Sequence, residues 1–73
     1  MQLLRRGERG PAVIEVRSTL RRFGLLPETG GQAGGDFFDA ELEQAVRVFQ
    51  QQRGLITDGI VGPATYRAMR DAG

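Results

Sequence analysis

Three aspartates, Asp36, Asp39 and Asp58, are the side chains of this sequence best suited to acid–base chemistry. Two carboxylates can hydrolyse a glycosidic bond when one stands on each side of it. The surroundings argue against that use. Asp39 stands where a helix starts and reads as its N-cap. Asp58 precedes a glycine and reads as turn chemistry. A chain of 73 residues also has too little body to wall a closed cleft. The remaining catalytic types are missing. There is no histidine, hence no ordinary general base or zinc ligand, and no cysteine nucleophile. Ser18 falls inside an amphipathic stretch with no base to activate it. The oxygens around Asp36 and Asp39 do not follow the alternating ligand spacing of a calcium loop. The sequence therefore implies no catalysis by this chain alone, no metal and no cofactor.

The elements that must position any site belong to one small domain, residues 1–73. A chain this short buries only about 60–65% of its unfolded surface, and no disulfide or metal supplements it. Net charge is +1, unevenly spread. Residues 1–24 carry six arginines against Glu8 and Glu15, a net of +4. Residues 25–46 carry five acids and no base, a net of −5, and the remainder is +2. Every basic residue is arginine, which suits anion recognition better than lysine does. A nucleic-acid partner is nonetheless not expected, because the sustained basic stripe of such binders is missing. A helix–turn–helix reader is the best rival shape, with Arg67 and Arg70 near phosphates. Its connection, Gly54 to Gly62, is too long, and the last helix lacks polar side chains to read base edges.

No apolar run is long enough to span a membrane. Arg5 and Arg6 interrupt what would be the apolar part of a secretory signal. The expectation is a cytoplasmic location if Met1 is the native start; an exported location requires that the chain be part of a longer protein. Its close, just beyond a helix, suggests such a longer protein.

Residues 1–9 read as an irregular lead-in anchored by Leu3 and Leu4. Gly10-Pro11 starts a helix, with proline at the first helical position, where its missing N–H costs nothing. Val13, Val16, Leu20 and Phe23 make one face of it. Gly24 closes it as a left-handed cap, with Arg21 and Arg22 at the negative end of the dipole. Residues 25–35 are a glycine-rich loop, either a flexible connector, the favoured reading, or a place where backbone approaches a ligand. Asp39 caps the second helix, and Glu41 and Glu43 favour its first turns. Leu42, Ala45, Val46 and Phe49 form its buried face, and Gly54 ends it. Leu55 and Ile56 then turn inward, Asp58-Gly59 makes a turn, and Ile60-Val61 is a short extended piece or single turn. Gly62-Pro63 opens the third helix, with Tyr66 and Met69 inward. The repeated Gly-Pro-Ala starts and the two Gly-Leu ends reuse the same capping chemistry. The predicted fold is all-α, a compact three-helix bundle with short connecting turns. Phe23, Phe38 and Phe49 are its largest core candidates. If Phe38 faces in, Phe37 faces out.

The ordered motifs carry a resemblance across essentially the whole chain. Leu4-Arg5-x-Gly7, Gly10-Pro11-Ala12-Val13 and Leu20-x-x-Phe23-Gly24-Leu25 resemble the opening of the peptidoglycan-binding domain appended to bacterial cell-wall hydrolases. Phe38, Ala45-Val46-Arg47 and Phe49-Gln50 are similar to its middle helix. Gly54-Leu55, Asp58-Gly59-Ile60-Val61-Gly62-Pro63 and Thr65 are similar to its close. Leu42 stands where the family usually has threonine, and Tyr66 where tryptophan is common. The details look most like the N-terminal module of actinobacterial N-acetylmuramoyl-L-alanine amidase-like proteins.

The resemblance implies a non-catalytic module that targets a linked amidase or other hydrolase to the wall polymer, and a cell-wall location if it is exported with a full-length protein; a monomer is expected. Its partner would be peptidoglycan or its fragments and precursors. The alternative is the same fold serving as a regulatory protein-interaction module in cell-wall synthesis. The candidate ligand-binding residues are Asp36, Phe37, Gln50, Arg53, Asp58, Tyr66 and Arg67, lining a groove between the glycine-rich loop and the 55–62 turn. Arginine would pair a stem-peptide carboxylate, Gln50 would bond amides, and Phe37 or Tyr66 would stack on a sugar face.

Overall fold

Gly10 and Pro11 start the first helix where the sequence places it, because the proline fixes the helical φ at a first-turn position whose N–H would have no helical partner. The structure, a computed structural model, describes residues 3–26 and 35–72. They contain three helices, α1 (Pro11–Arg22), α2 (Ala40–Gln52) and α3 (Pro63–Ala72). The glycine-rich connector expected at 25–35 falls mostly outside the described residues.

Capping sets the helix bounds. Asp39 accepts the Leu42 N–H on its carboxylate at 2.9 Å, and Glu41 and Glu43 follow in the first turn of α2. The ends of α1 and α2 are the same motif. Leu25 N–H reaches back to the Leu20 carbonyl at 2.9 Å, and Leu55 N–H to the Gln50 carbonyl at 2.8 Å. Gly24 and Gly54 donate to Arg21 and Gln51 at 3.0 and 3.2 Å, completing a Schellman pattern at each end.

The inner faces of the helices meet in one core. Val13, Val16 and Leu20 of α1 pack with Leu42, Ala45, Val46 and Phe49 of α2, together with Met69 of α3 and the fully buried Phe38. Each large apolar side chain buried this way contributes about 1.5–3 kcal/mol. Phe23 is half-buried at the edge, its ring stacked on Phe49 with centroids 5.6 Å apart.

Three features differ from the sequence reading. The lead-in is not loose. Leu4 and Val61 exchange backbone hydrogen bonds of 3.1 and 2.8 Å, Gly7 N–H donates to the Phe38 carbonyl, and Gly10 N–H donates to the Asp36 carbonyl. The segment thus ties the starts of α2 and α3 to the start of α1, through two isolated antiparallel bridges too short to show as alternation. Because neighbours on extended backbone face opposite ways, Leu4 is buried and Leu3 is 51% exposed. Ile56 is 83% exposed rather than inward, since the half-buried Leu55 takes the apolar position that follows the helix end. Arg17, on the core side of α1, is only 4% exposed. Its Nη2 donates to the Phe37 carbonyl at 2.7 Å and lies 3.5 Å from the Asp39 carboxylate, so it fastens α1 to the start of α2.

Candidate binding groove

Gln50 sits in the last turn of α2 with 1% of its surface exposed, and its carboxamide organises the loop that follows. Its Oε1 accepts the Gly59 N–H at 2.9 Å. Its Nε2 faces the Ile60 carbonyl at 2.9 Å and Asp58 Oδ1 and Thr65 Oγ1 at 3.1 Å each. A donor on one side and a carbonyl and a carboxylate on the other fix which end of the amide is nitrogen. Both amide hydrogens and the carbonyl oxygen are committed inside the protein.

Asp58 closes its own turn. Its Oδ1 accepts the Ile60 N–H at 3.0 Å, the two-residue reach of an Asx turn. That backbone donor holds the Asp58 carboxyl below its ordinary value of 3.8. Desolvation opposes the shift, while the Gln50 amide and, more weakly, the Arg47 charge assist it. Gly59 adopts φ +77°, and a Cβ there would lie 3.0 Å from Glu43 Cγ and 3.2 Å from Arg47 Nε. The turn therefore presses directly on α2. Leu3 lies over Gly62, where an added Cβ would come within 3.2 Å of Leu3 Cδ2.

Between this turn and the start of α3 is a groove of about 530 Å³. Leu3, Leu55, Ile56, Ile60, Pro63 and Ala64 supply apolar wall, and Gln50, Asp58 and Thr65 supply polar atoms. Among the described residues, Asp58 is the one charged residue of the lining.

Of the seven candidate residues, the groove brings together Gln50 and Asp58. Asp36 and Phe37 stand instead with Arg9, whose guanidinium is 3.5 Å from the Asp36 carboxylate and 5.2 Å from the Phe37 ring centroid. Arg53, at the end of α2, lays its guanidinium over the Phe49 ring at 5.4 Å. Tyr66 is half-buried and packed against the core. Burial, and secondarily the Glu15 charge, push its phenol above 10.0. Arg67 is exposed on α3 and does not line the groove. Most of the glycine-rich wall expected at 25–35 lies outside the described residues. Sequence reasoning did not propose Leu3, Ile56, Ile60 and Thr65 as site residues. The available signal was an excess of large apolar side chains, at 55, 56, 60 and 61, in a connection too short to bury them all.

Capped helices, a core shared by all three, and a mainly apolar groove beside one turn define a small binding module. Over residues 9–69 the chain matches the family described as "Putative peptidoglycan binding domain", and it belongs to that family. It is 51% identical over 75 aligned positions to N-acetylmuramoyl-L-alanine amidase CwlM of Mycobacterium tuberculosis. That match covers 94% of this chain but only 18% of CwlM. The SleB N-terminal domain superposes with a TM-score of 0.85 at 34% identity, covering 97% of this chain and 92% of that one. The Burkholderia AP3 phage endolysin superposes with a TM-score of 0.84 at 28% identity, covering 99% of this chain and 26% of the endolysin. In CwlM and the endolysin the match is one module within a longer chain. No helix among the described residues is long and apolar enough to cross a membrane.

Proposed function

We propose that this domain binds peptidoglycan without cleaving it and holds a linked cell-wall amidase on its polymer. The observation that carries the reading is the groove between the 55–62 turn and α3, in a chain that belongs to the peptidoglycan-binding family. The amidase name of CwlM supports the choice of linked enzyme. The groove is preformed, because Gln50 pins its turn from inside and leaves the apolar rim free for a ligand. Leu42, at the position where the family usually has threonine, is fully buried, so its side chain is not offered to a ligand there. The domain acts as a monomer, in association with the cell wall.

Co-sedimentation of the purified domain with washed peptidoglycan sacculi, at low and high salt, tests this. Pelleting that survives high salt is expected, because most of the groove is apolar and salt screens only its charged part. A domain that stays in the supernatant at both salts would overturn the proposal.

A further inference from the structure

The groove has a specific electrostatic polarity. Asp58 Oδ1 is occupied by the Ile60 N–H and the Gln50 amide, whereas Oδ2 has no hydrogen-bond partner among the described residues. None of the ion pairs among the described residues involves Asp58, and no arginine lines the groove. A negative charge, opposed weakly by Arg47 outside the lining, thus stands at the edge of a lining whose other polar atoms belong to Gln50 and Thr65. The start of α3 adds about half a positive charge, which the carboxylate outweighs.

We infer that the groove receives an aliphatic primary ammonium, the free amino end of a diamino acid in a stem peptide. The ammonium pairs with Asp58 Oδ2, and its methylenes lie along Ile56 and Ile60. This rests on the reading of the groove as the peptidoglycan site and narrows it to one chemical class. A free carboxylate would meet the charge of Asp58. A sugar face would find no aromatic side chain in the lining, and the Gln50 amide has no hydrogen bond left to give it. An ammonium on a short aliphatic stem matches both the carboxylate and the apolar wall.

Calorimetric titration with a synthetic stem tripeptide ending in a diamino acid, beside the same peptide acetylated on that amine, tests the inference. The wild-type domain and Asp58→Asn are compared. The asparagine keeps an Oδ1 acceptor for Ile60 and Gln50, so the turn survives; thermal unfolding checks this. Acetylation is expected to weaken binding to the wild type about fivefold, the upper end for an exposed ion pair. Asp58→Asn is expected to bind both peptides alike, at the weaker level. Equal affinity of both peptides for the wild type would overturn the inference. So would an acetylation penalty that persists in Asp58→Asn, or no binding of the free-amine peptide. Sedimentation with native and amine-acetylated sacculi separates the two levels. Equal pelleting of both removes the ammonium and leaves peptidoglycan binding standing, whereas no pelleting of either removes the binding reading itself.

Discussion

Gln50 Nε2 and Asp58 Oδ1 are joined by a 3.1 Å hydrogen bond that ties the last turn of α2 to the loop forming one wall of the groove. The same amide reaches Gly59, Ile60 and Thr65, so one buried side chain sets the loop and its distance from α3. The loop is therefore shaped before any ligand arrives. Groove geometry and domain stability depend on the same few bonds.

Replacing Gln50 with leucine keeps much of the volume and removes every one of those bonds. The Gly59 N–H and the Ile60 carbonyl then lose their partner. A loss of about 2–4 kcal/mol is expected, read from urea unfolding. A change smaller than about 0.5 kcal/mol would show that the network is not needed for the fold.

Gly54→Ala and Gly59→Ala separate backbone strain from crowding. Both glycines have positive φ, 71° and 77°, so each alanine costs about 1 kcal/mol or more in conformation. An added Cβ at Gly54 meets open space, whereas at Gly59 it meets Glu43 and Arg47. Thermal unfolding should therefore rank Gly59→Ala below Gly54→Ala. The reverse order would contradict the packing of the turn on α2.

Asp58 links stability to acid. Its folded pKa lies below the ordinary 3.8, so its stabilising contribution is complete above that value and is lost as pH falls through the folded value. Asp58→Asn removes this dependence. The stability gap between wild type and variant should narrow as pH drops below 3.8, measured by denaturant titration at a series of pH values. A constant gap would mean that the carboxylate charge does not support the turn.

Tyr66 gives the alkaline counterpart. The chain has one tyrosine and no tryptophan, so phenolate absorbance reports this residue alone. The midpoint should lie above 10.0, raised first by burial and then by Glu15. Glu15→Gln should lower it only part of the way. The raised pKa contributes stability that is present below 10.0 and lost as pH rises through the folded value. A midpoint at or below the ordinary value would contradict the packing of Tyr66.

What the sequence made legible was mostly local. The starts at Gly10-Pro11 and Gly62-Pro63, the Asp39 cap and the Gly24 and Gly54 ends depend on neighbours within a few residues, and all appear where expected. The apolar face of α2 is equally plain from its spacing. What was not legible depends on distant partners. The burial of Arg17 follows from the Phe37 carbonyl, twenty residues away, and that of Gln50 from a turn eight to ten residues on. Gln50 looked like a surface amide with bonds to offer, yet the fold uses them all. Asp36 and Phe37 looked like neighbours of the groove, but the pairing of Gly10 with Asp36 draws them towards Arg9.

The most direct test of the groove as the peptidoglycan site is sacculus co-sedimentation, at high salt, of the wild type beside Ile56→Lys. Ile56 is 83% exposed, so the substitution leaves the core untouched, and an unchanged thermal midpoint verifies that. It removes apolar wall beside Asp58 and sets there a cation that competes for the Asp58 carboxylate. Wild type in the pellet with Ile56→Lys largely in the supernatant is the expected result. Equal pelleting of both would contradict the groove as the binding surface.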